Sequence, residues 1–235
     1  METIPPDFPN CQADPVPPWE PAWGWLPPEF PAWREQFADR LRRSHQGAGS
    51  CVLIGDSLTA NWDGDHWHQH WGGRDAINLG IGGDTTQHLL FRITHGQLAG
   101  LAPRTAVLLI GINNIWRDPY SPADHAIARG IVACARSVAG EWPHTHLVVL
   151  GLLPAVDRAL GERLASINRL VAAQNLFGAT HANLSRTFLT AQGELDPTCY
   201  QKDRVHLNAT GYQRFAAALH PLLDHPKITM NDVGG

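Results

Sequence analysis

The stretch "CVLIGDSLTANW", Cys51 to Trp62, decides how this chain is read. Four apolar residues, Cys51 to Ile54, run into Gly55-Asp56-Ser57 and then into a polar, helix-compatible segment. A short apolar run closed by glycine predicts a buried strand that turns sharply into a helix. A serine at that corner has two readings. Ser57 caps the helix, or it is held up as a nucleophile where free N–H groups and the helix dipole favour incoming negative charge. The choice depends on whether other segments supply a base, an orienting acid and donors for an oxyanion.

Outward from this corner the same alternation repeats. Apolar runs occur at Ala76–Leu79, Ala106–Ile110 and Leu147–Leu150, with a weaker fifth at Ala182–Leu184. Helical patterns lie between and after them, at Thr85–His95, Pro122–Gly140, Arg158–Phe177 and Ala209–Leu223. A further amphipathic helix precedes the first strand in "PAWREQFADRLRRSH", where Trp33, Phe37 and Leu41 recur every four residues. Regular strand–helix alternation predicts right-handed crossovers and one α/β domain, a mostly parallel five-stranded sheet covered by helices on both faces. No internal repeat and no second domain is visible. The expected divisions are an N-terminal arm over residues 1–31, a domain over 32–225 and a tail over 226–235.

Composition narrows the classes. The 235 residues suffice for one substantial core, and 43% hydrophobic with 17% charged residues fits a globular chain. A formal net charge of -4 gives no basic footprint for nucleic acid. Cys11, Cys51, Cys134 and Cys199 lie far apart, without C-x-x-C spacing, and read as isolated thiols. No apolar run approaches the roughly 20 residues of a membrane span. The start, "METIPPDFPNC", has neither a basic n-region nor an apolar h-region, so a cytoplasmic location is the expectation. Seven prolines fall between Pro15 and Pro31, interleaved with Trp19, Trp23 and Trp25. That segment is expected to be an extended arm packed over the domain rather than a proline-rich ligand, because its tryptophans are too apolar to leave in water.

In such a sheet, ligands bind beyond the carboxyl ends of the strands. The residues there are Gly55-Asp56-Ser57, Gly80-Ile81-Gly82-Gly83-Asp84, Gly111-Ile112-Asn113-Asn114 and Gly151-Leu152-Leu153-Pro154. The G-x-S-x-G elbow is absent, since Thr59 stands at its second glycine position. A base signal lies in "KDRVHLNATGY", where Asp203 and His206 are three apart just before the last helix. That spacing lets a carboxylate hold the imidazole Nδ1 while Nε2 faces across the site. Asp65 and His68 share the spacing but not the position. Oxyanion donors are the Ser57 N–H, the Gly83 N–H and the Asn113 amide. Each piece alone is more often a turn or a cap; all of them at strand ends make a joint coincidence poor.

Here the chain resembles the GDSL or SGNH hydrolases. Their four blocks are matched in order by Gly55-Asp56-Ser57, Gly80–Asp84, Gly111–Asn114 and Asp203–His206. "NLGIGGDTTQHLLFRITHGQL", "VVLGLLP" and "DRVHLNATGY" resemble the catalytic subunits of intracellular platelet-activating factor acetylhydrolase and their bacterial relatives. The likeness covers roughly residues 51–223. It implies the flavodoxin-like SGNH hydrolase fold, Ser57 as nucleophile, His206 as base, Asp203 as its orienting acid, and Ser57, Gly83 and Asn113 as the oxyanion hole. It also makes a homodimer plausible. Asn114 stands where many relatives carry aspartate, as in the acetylhydrolase branch, and Ala155-Val156 stand where relatives commonly carry Arg-Gly.

The implied reaction is two-step acyl transfer, with no metal or organic cofactor. Leu58, Ile112 and Val205 flank the site residues and are expected to line a small acyl pocket that prefers acetyl. The alcohol stays open between an acetylated carbohydrate and a small or lipid ester. Trp62, Trp67 and Trp116 could stack on sugar rings or could equally be core residues; the sequence leaves the two readings open. Two other readings are a lysophospholipase or thioesterase, and a non-catalytic glycan-binding protein on the same fold. In "DGDHWHQHW", His66, His68 and His70 with Asp63 and Asp65 are possible metal ligands, though a polar helix with Trp67 and Trp71 packed inward is the expectation.

Overall fold

In the computed structural model the described residues are 17–21, 30–46, 49–62, 64–116 and 122–224. Most of the expected arm, including Trp23 and Trp25, the expected tail, Cys11 and Asp63 lie outside them.

Helix α1 (Phe30–Gln46) precedes strand β1 (Cys51–Gly55), which runs directly into the single turn α2 (Ser57–Ala60) and then α3 (Gly64–Trp71). Strand β2 (Ala76–Asn78) leads to α4 (Thr86–Thr94), β3 (Thr105–Leu109) to the short α5 (Asn113–Trp116) and the long α6 (Asp124–Glu141). Strand β4 (His146–Leu150), α7 (Arg158–Ala172), β5 (Thr180–Ala182) and α8 (Ala209–Asp224) complete the order. The sheet runs β2-β1-β3-β4-β5 with every neighbouring pair parallel. This is the doubly wound order in which β1 and β3 part at the switch point.

Alternation along the strands sorts the core into two layers. Val52, Ile54, Ala106, Leu108, Leu147 and Val149 face α4, α6 and α7, where Leu89, Ile127, Ile131, Leu164 and Ile167 meet them. Cys51, Leu53, Val107, Leu109, Val148 and Leu150 face the other way, against Leu58, Trp62, Trp71, Tyr212, Phe215 and Leu219 of α2, α3 and α8. Helix α1 adds a third, smaller cluster, with Trp33 and Phe37 against Ile81 and Phe91.

The helix starts are chemically capped. Asp56 accepts from Leu58 N and Asp157 from Leu160 N, each at 3.0 Å. Thr85 and His88 form a reciprocal box at the head of α4. Two boundaries differ from expectation. The fifth strand is Thr180–Ala182, two residues earlier than the Ala182–Leu184 run, because this half-exposed edge strand has no apolar alternation to mark it. Helix α7 ends at Ala172 rather than Phe177, with Ala173 as its C-cap; Phe177 and Gly178, farther on, adopt left-handed conformations at φ 55° and 89°.

Candidate active site

Gly55 ends β1 where the chains are closest. A Cβ there would sit 2.2 Å from the Leu109 carbonyl and 2.4 Å from Thr59 Oγ1, so only glycine lets β1 lie against β3 and turn at once into α2. Asp56 then caps α2, and Ser57 is its first residue. Its hydroxyl lies at 2.9 Å from His206 Nε2, and His206 Nδ1 lies 2.6 Å from Asp203 Oδ2.

The loop that carries the pair is folded for it. Arg204 has φ 57°, uncommon for a non-glycine residue, and its carbonyl accepts the Val156 N–H at 2.8 Å. That left-handed turn brings the N–H groups of Val205 and His206 onto Asp203 Oδ1, both at 3.0 Å. Tyr200 Oη donates to the Pro154 carbonyl at 2.6 Å, fastening the loop to the segment after β4. Burial on its own raises the Asp203 carboxyl, but the hydrogen bonds from His206 and from the two backbone N–H groups outweigh it and hold it below the usual carboxylate range. Asp203 is therefore an anion that fixes the imidazole with Nδ1–H toward it and leaves Nε2 to face Ser57.

The glycine turn after β2 stands over the same serine. A Cβ added to Gly82 would have only Ser57 Cβ within reach, at 4.0 Å, and Gly83 follows with φ 81°. Asn113 opens α5 and is nearly buried; its Nδ2 donates to the Asp84 carbonyl at 2.9 Å, which ties the Asn113 amide to the Gly83-Asp84 turn. Behind it, Asn114 Oδ1 accepts the Thr86 N–H at 3.0 Å and Asn114 Nδ2 donates to Gln87 at 2.7 Å. An amide at position 114 can both accept and donate here, which a carboxylate cannot.

Other expected site residues fall elsewhere. Leu58 is buried in the core under α8, whereas Ile112 belongs to the core under α4 and α6, with Val205 packed against that same layer. The three do not form one wall: Leu58 packs on the α8 side of the sheet, and Ile112 and Val205 on the α4 and α6 side. For Trp62 the core reading holds: it is buried among Trp71, Tyr212 and Phe215, and the half-buried Trp67 stacks on Trp71 with ring centroids 5.8 Å apart. Trp116 alone of the three is exposed, at 44%, four residues past Ile112 at the strand ends. His70 stands edge-on to Trp62, and among the described residues no three metal-ligating side chains come together. Among them, too, no helix is long and apolar enough to cross a membrane.

Sequence reasoning passed over the buried charges. Asp56, Asp84 and Arg92 are fully buried beneath the Ser57 and Gly83 turns. The signal available was their place inside the otherwise apolar and glycine-rich segments at the strand ends.

Comparison with known proteins agrees with this geometry. The profile of the GDSL-like Lipase/Acylhydrolase family matches residues 53–214. The alpha1 subunit of platelet-activating factor acetylhydrolase IB from Rattus norvegicus is 34% identical over 178 residues, 73% of this chain and 74% of the relative. A GDSL-like lipase from Bacteroides thetaiotaomicron superposes with a TM-score of 0.65 at 19% identity, over 82% of this chain and 97% of that one. An acetyl-xylooligosaccharide esterase from Geobacillus, Axe2, does so with a TM-score of 0.57 at 15% identity, over 78% and 97%. Those two likenesses bear on the fold. With strand order, loop geometry and a profile match over most of its length in agreement, the chain belongs to the GDSL-like lipase and acylhydrolase family and is a carboxylic ester hydrolase.

Proposed function

We propose that the protein removes acetyl and other short acyl groups from an alcohol through Ser57, His206 and Asp203. The observation that carries this reading is the unbroken relay from Asp203 Oδ2 to His206 Nδ1 at 2.6 Å and from His206 Nε2 to Ser57 Oγ at 2.9 Å. Ser57 Oγ attacks the ester carbonyl as its proton passes to His206 Nε2. The tetrahedral intermediate collapses, the alcohol leaves with that proton, and the acyl group stays on Ser57. Water then repeats the sequence against the acyl-enzyme, with His206 again taking a proton, and the carboxylic acid departs. Asp203 remains ionised throughout and stabilises the imidazolium.

The developing oxyanion is received by the N–H groups of Ser57 and Gly83 and by Asn113 Nδ2, which keeps a second hydrogen after serving the Asp84 carbonyl. One such donor is worth about 3 kcal/mol of barrier in comparable sites. Val205, next to His206 and only partly buried, is the side chain that limits the acyl group. One excess methylene in a close-fitting pocket costs about 1–3 kcal/mol, so acetyl is preferred to butyryl and octanoyl is poor. The name of the acetylhydrolase relative agrees with a two-carbon acyl group.

For the alcohol, exposed Trp116 favours a flat-faced partner such as a sugar ring, which makes an acetylated carbohydrate the first substrate class to test. The test is a screen of acetylated sugars and acetylated lipids beside a p-nitrophenyl ester series. Wild type is expected to favour acetate, and Ser57→Ala to lose all of it while remaining folded. Turnover of octanoate equal to that of acetate defeats the short-acyl reading; activity surviving in Ser57→Ala defeats the nucleophile.

A further inference from the structure

Two buried carboxylates and one guanidinium lie beneath the Ser57 turn, and the proposed cycle uses none of them. Asp56 precedes the nucleophile, Asp84 follows Gly83, and Arg92 rises from α4; all three are fully buried. Arg92 is heavily committed. Its Nη2 lies 2.6 Å from Asp84 Oδ2 and 3.3 Å from the Gly55 carbonyl, and its Nη1 donates to the Leu79 carbonyl at 2.9 Å and to Gln97. Trp33 Nε1 donates to the second Asp84 oxygen at 2.6 Å. Asp84 thus has the Trp33 N–H at one oxygen and the Arg92 guanidinium as an ion-pair partner at the other, the counter-charge that a buried carboxylate anion requires and that Asp56 lacks.

Asp56 is provided for differently. Its Oδ1 accepts the Leu58 N–H at 3.0 Å, and its Oδ2 has no hydrogen-bond partner among the described residues. The other ionisable groups around it are engaged elsewhere. Arg40 of α1 donates to the Gly80 carbonyl at 2.9 Å and pairs with Asp39. His88 of α4 accepts the Thr85 N–H through Nδ1 at 3.1 Å, and His206, from the loop before α8, faces Ser57. An ionised Asp56 would place an unsatisfied anionic oxygen in a dry site beside Asp84, one residue from the amide that receives the oxyanion.

We infer that Asp56 is a positioning residue that works as the neutral carboxylic acid, holding the Ser57 turn through Leu58 while Asp84 carries the charge that pairs with Arg92. Burial, with the Asp84 charge adding to it against the Leu58 hydrogen bond, pushes the Asp56 carboxyl up to about 7. Burial raises the Asp84 carboxyl as well, and its net shift stays upward although Arg92 and Trp33 oppose it; the ion pair with Arg92 is what assigns the charge to Asp84. Ionisation of Asp56 on the alkaline side sets a second anion under the oxyanion hole and slows acyl transfer. The inference rests on Ser57 being the nucleophile, but one arm of its test does not.

Asp56→Asn keeps a neutral acceptor of the same shape. Its kcat/KM on p-nitrophenyl acetate is expected within about threefold of wild type at about pH 6, without the wild-type decline above about pH 7. Asp56→Ala, which removes the acceptor, is expected to lose roughly tenfold or more at both pH values. Independently, the infrared difference spectrum of wild type minus Asp56→Asn should show a protonated carboxylic acid band at about pH 6 that fades as pH rises through about 7. A band that survives in Asp56→Asn puts the proton on Asp84 and overturns the inference. So does an Asp56→Asn enzyme as impaired as Asp56→Ala. Should Asp56→Asn fail to fold, the wild-type spectrum decides alone: no protonated band at about pH 6 overturns it. Full activity in Ser57→Ala would instead remove the nucleophile assignment and leave the infrared result standing.

Discussion

Tyr212 Oη donates to the Leu58 carbonyl at 3.1 Å, joining α8 to the turn that carries Ser57 across 154 residues. The same ring packs on Trp62 at 4.6 Å between centroids, so one side chain braces the nucleophile turn by a hydrogen bond and by area. Tyr212→Phe keeps the packing and deletes the bond. It is expected to lower stability by about 1 kcal/mol in chemical denaturation and to reduce kcat more than KM.

Asp203 acts on Ser57 only through His206. Asp203→Asn should keep the fold and the loop but favour the wrong imidazole tautomer, with kcat falling by about 10³- to 10⁴-fold on p-nitrophenyl acetate. The Asp203 carboxyl sits below its unfolded value, so its ionised pairing stabilises the protein above the usual carboxylate range and is lost as pH falls through the lower folded value. Thermal melts of wild type across the acid range should therefore show a decline that flattens in Asp203→Asn. Equal pH dependence in the two proteins would contradict the pairing.

Gly55 offers a steric test of the corner. Gly55→Ala forces a methyl group onto the Leu109 backbone at 2.2 Å, which the β1–β3 pairing cannot relieve by moving a flexible side chain. A loss of about 3 kcal/mol or failure to fold is expected. Gly73→Ala, where an added Cβ meets nothing within 4 Å, should stay within about 0.5 kcal/mol of wild type.

The proposed stacking role of Trp116 distinguishes the alcohol from the acyl group. Trp116→Ala is expected to raise KM for acetylated sugars by roughly fivefold while leaving kcat and the turnover of small acetate esters nearly unchanged. An unchanged KM for every acetylated sugar, with a rise for acetylated lipids, would transfer the stacking role to a lipid alcohol.

What the sequence could disclose follows from how locally each feature is encoded. Strands β1, β3 and β4 are mostly apolar because both faces are covered, while the edge strand β2 is half-buried; each of the four reaches a glycine, Gly55, Gly80, Gly111 or Gly151, at or within two residues of its end. Asp203 and His206 were readable because three residues of one loop suffice to join them. Thr180–Ala182 was misplaced because an edge strand of three half-exposed residues carries little apolar pattern. Leu58 is expected at the site because it neighbours Ser57 in the chain, yet the turn at Asp56 sends it, with Trp62, into the layer under α8. The Asp56, Asp84 and Arg92 set escaped notice since charged residues are ordinarily solvated, and their burial depends on α1 and α4 closing over the same turn.

The relay between Ser57 and His206 bridges 149 positions of sequence. During synthesis, the ribosome must therefore deliver every strand and both long crossovers before the imidazole emerges. On the proposed mechanism, a nascent or prematurely terminated chain that has already assembled the sheet lacks its base and is expected not to cleave esters. Hydrolytic competence is a late property of this polypeptide, and fragments split between β5 and Asp203 should be inert apart and active only when recombined.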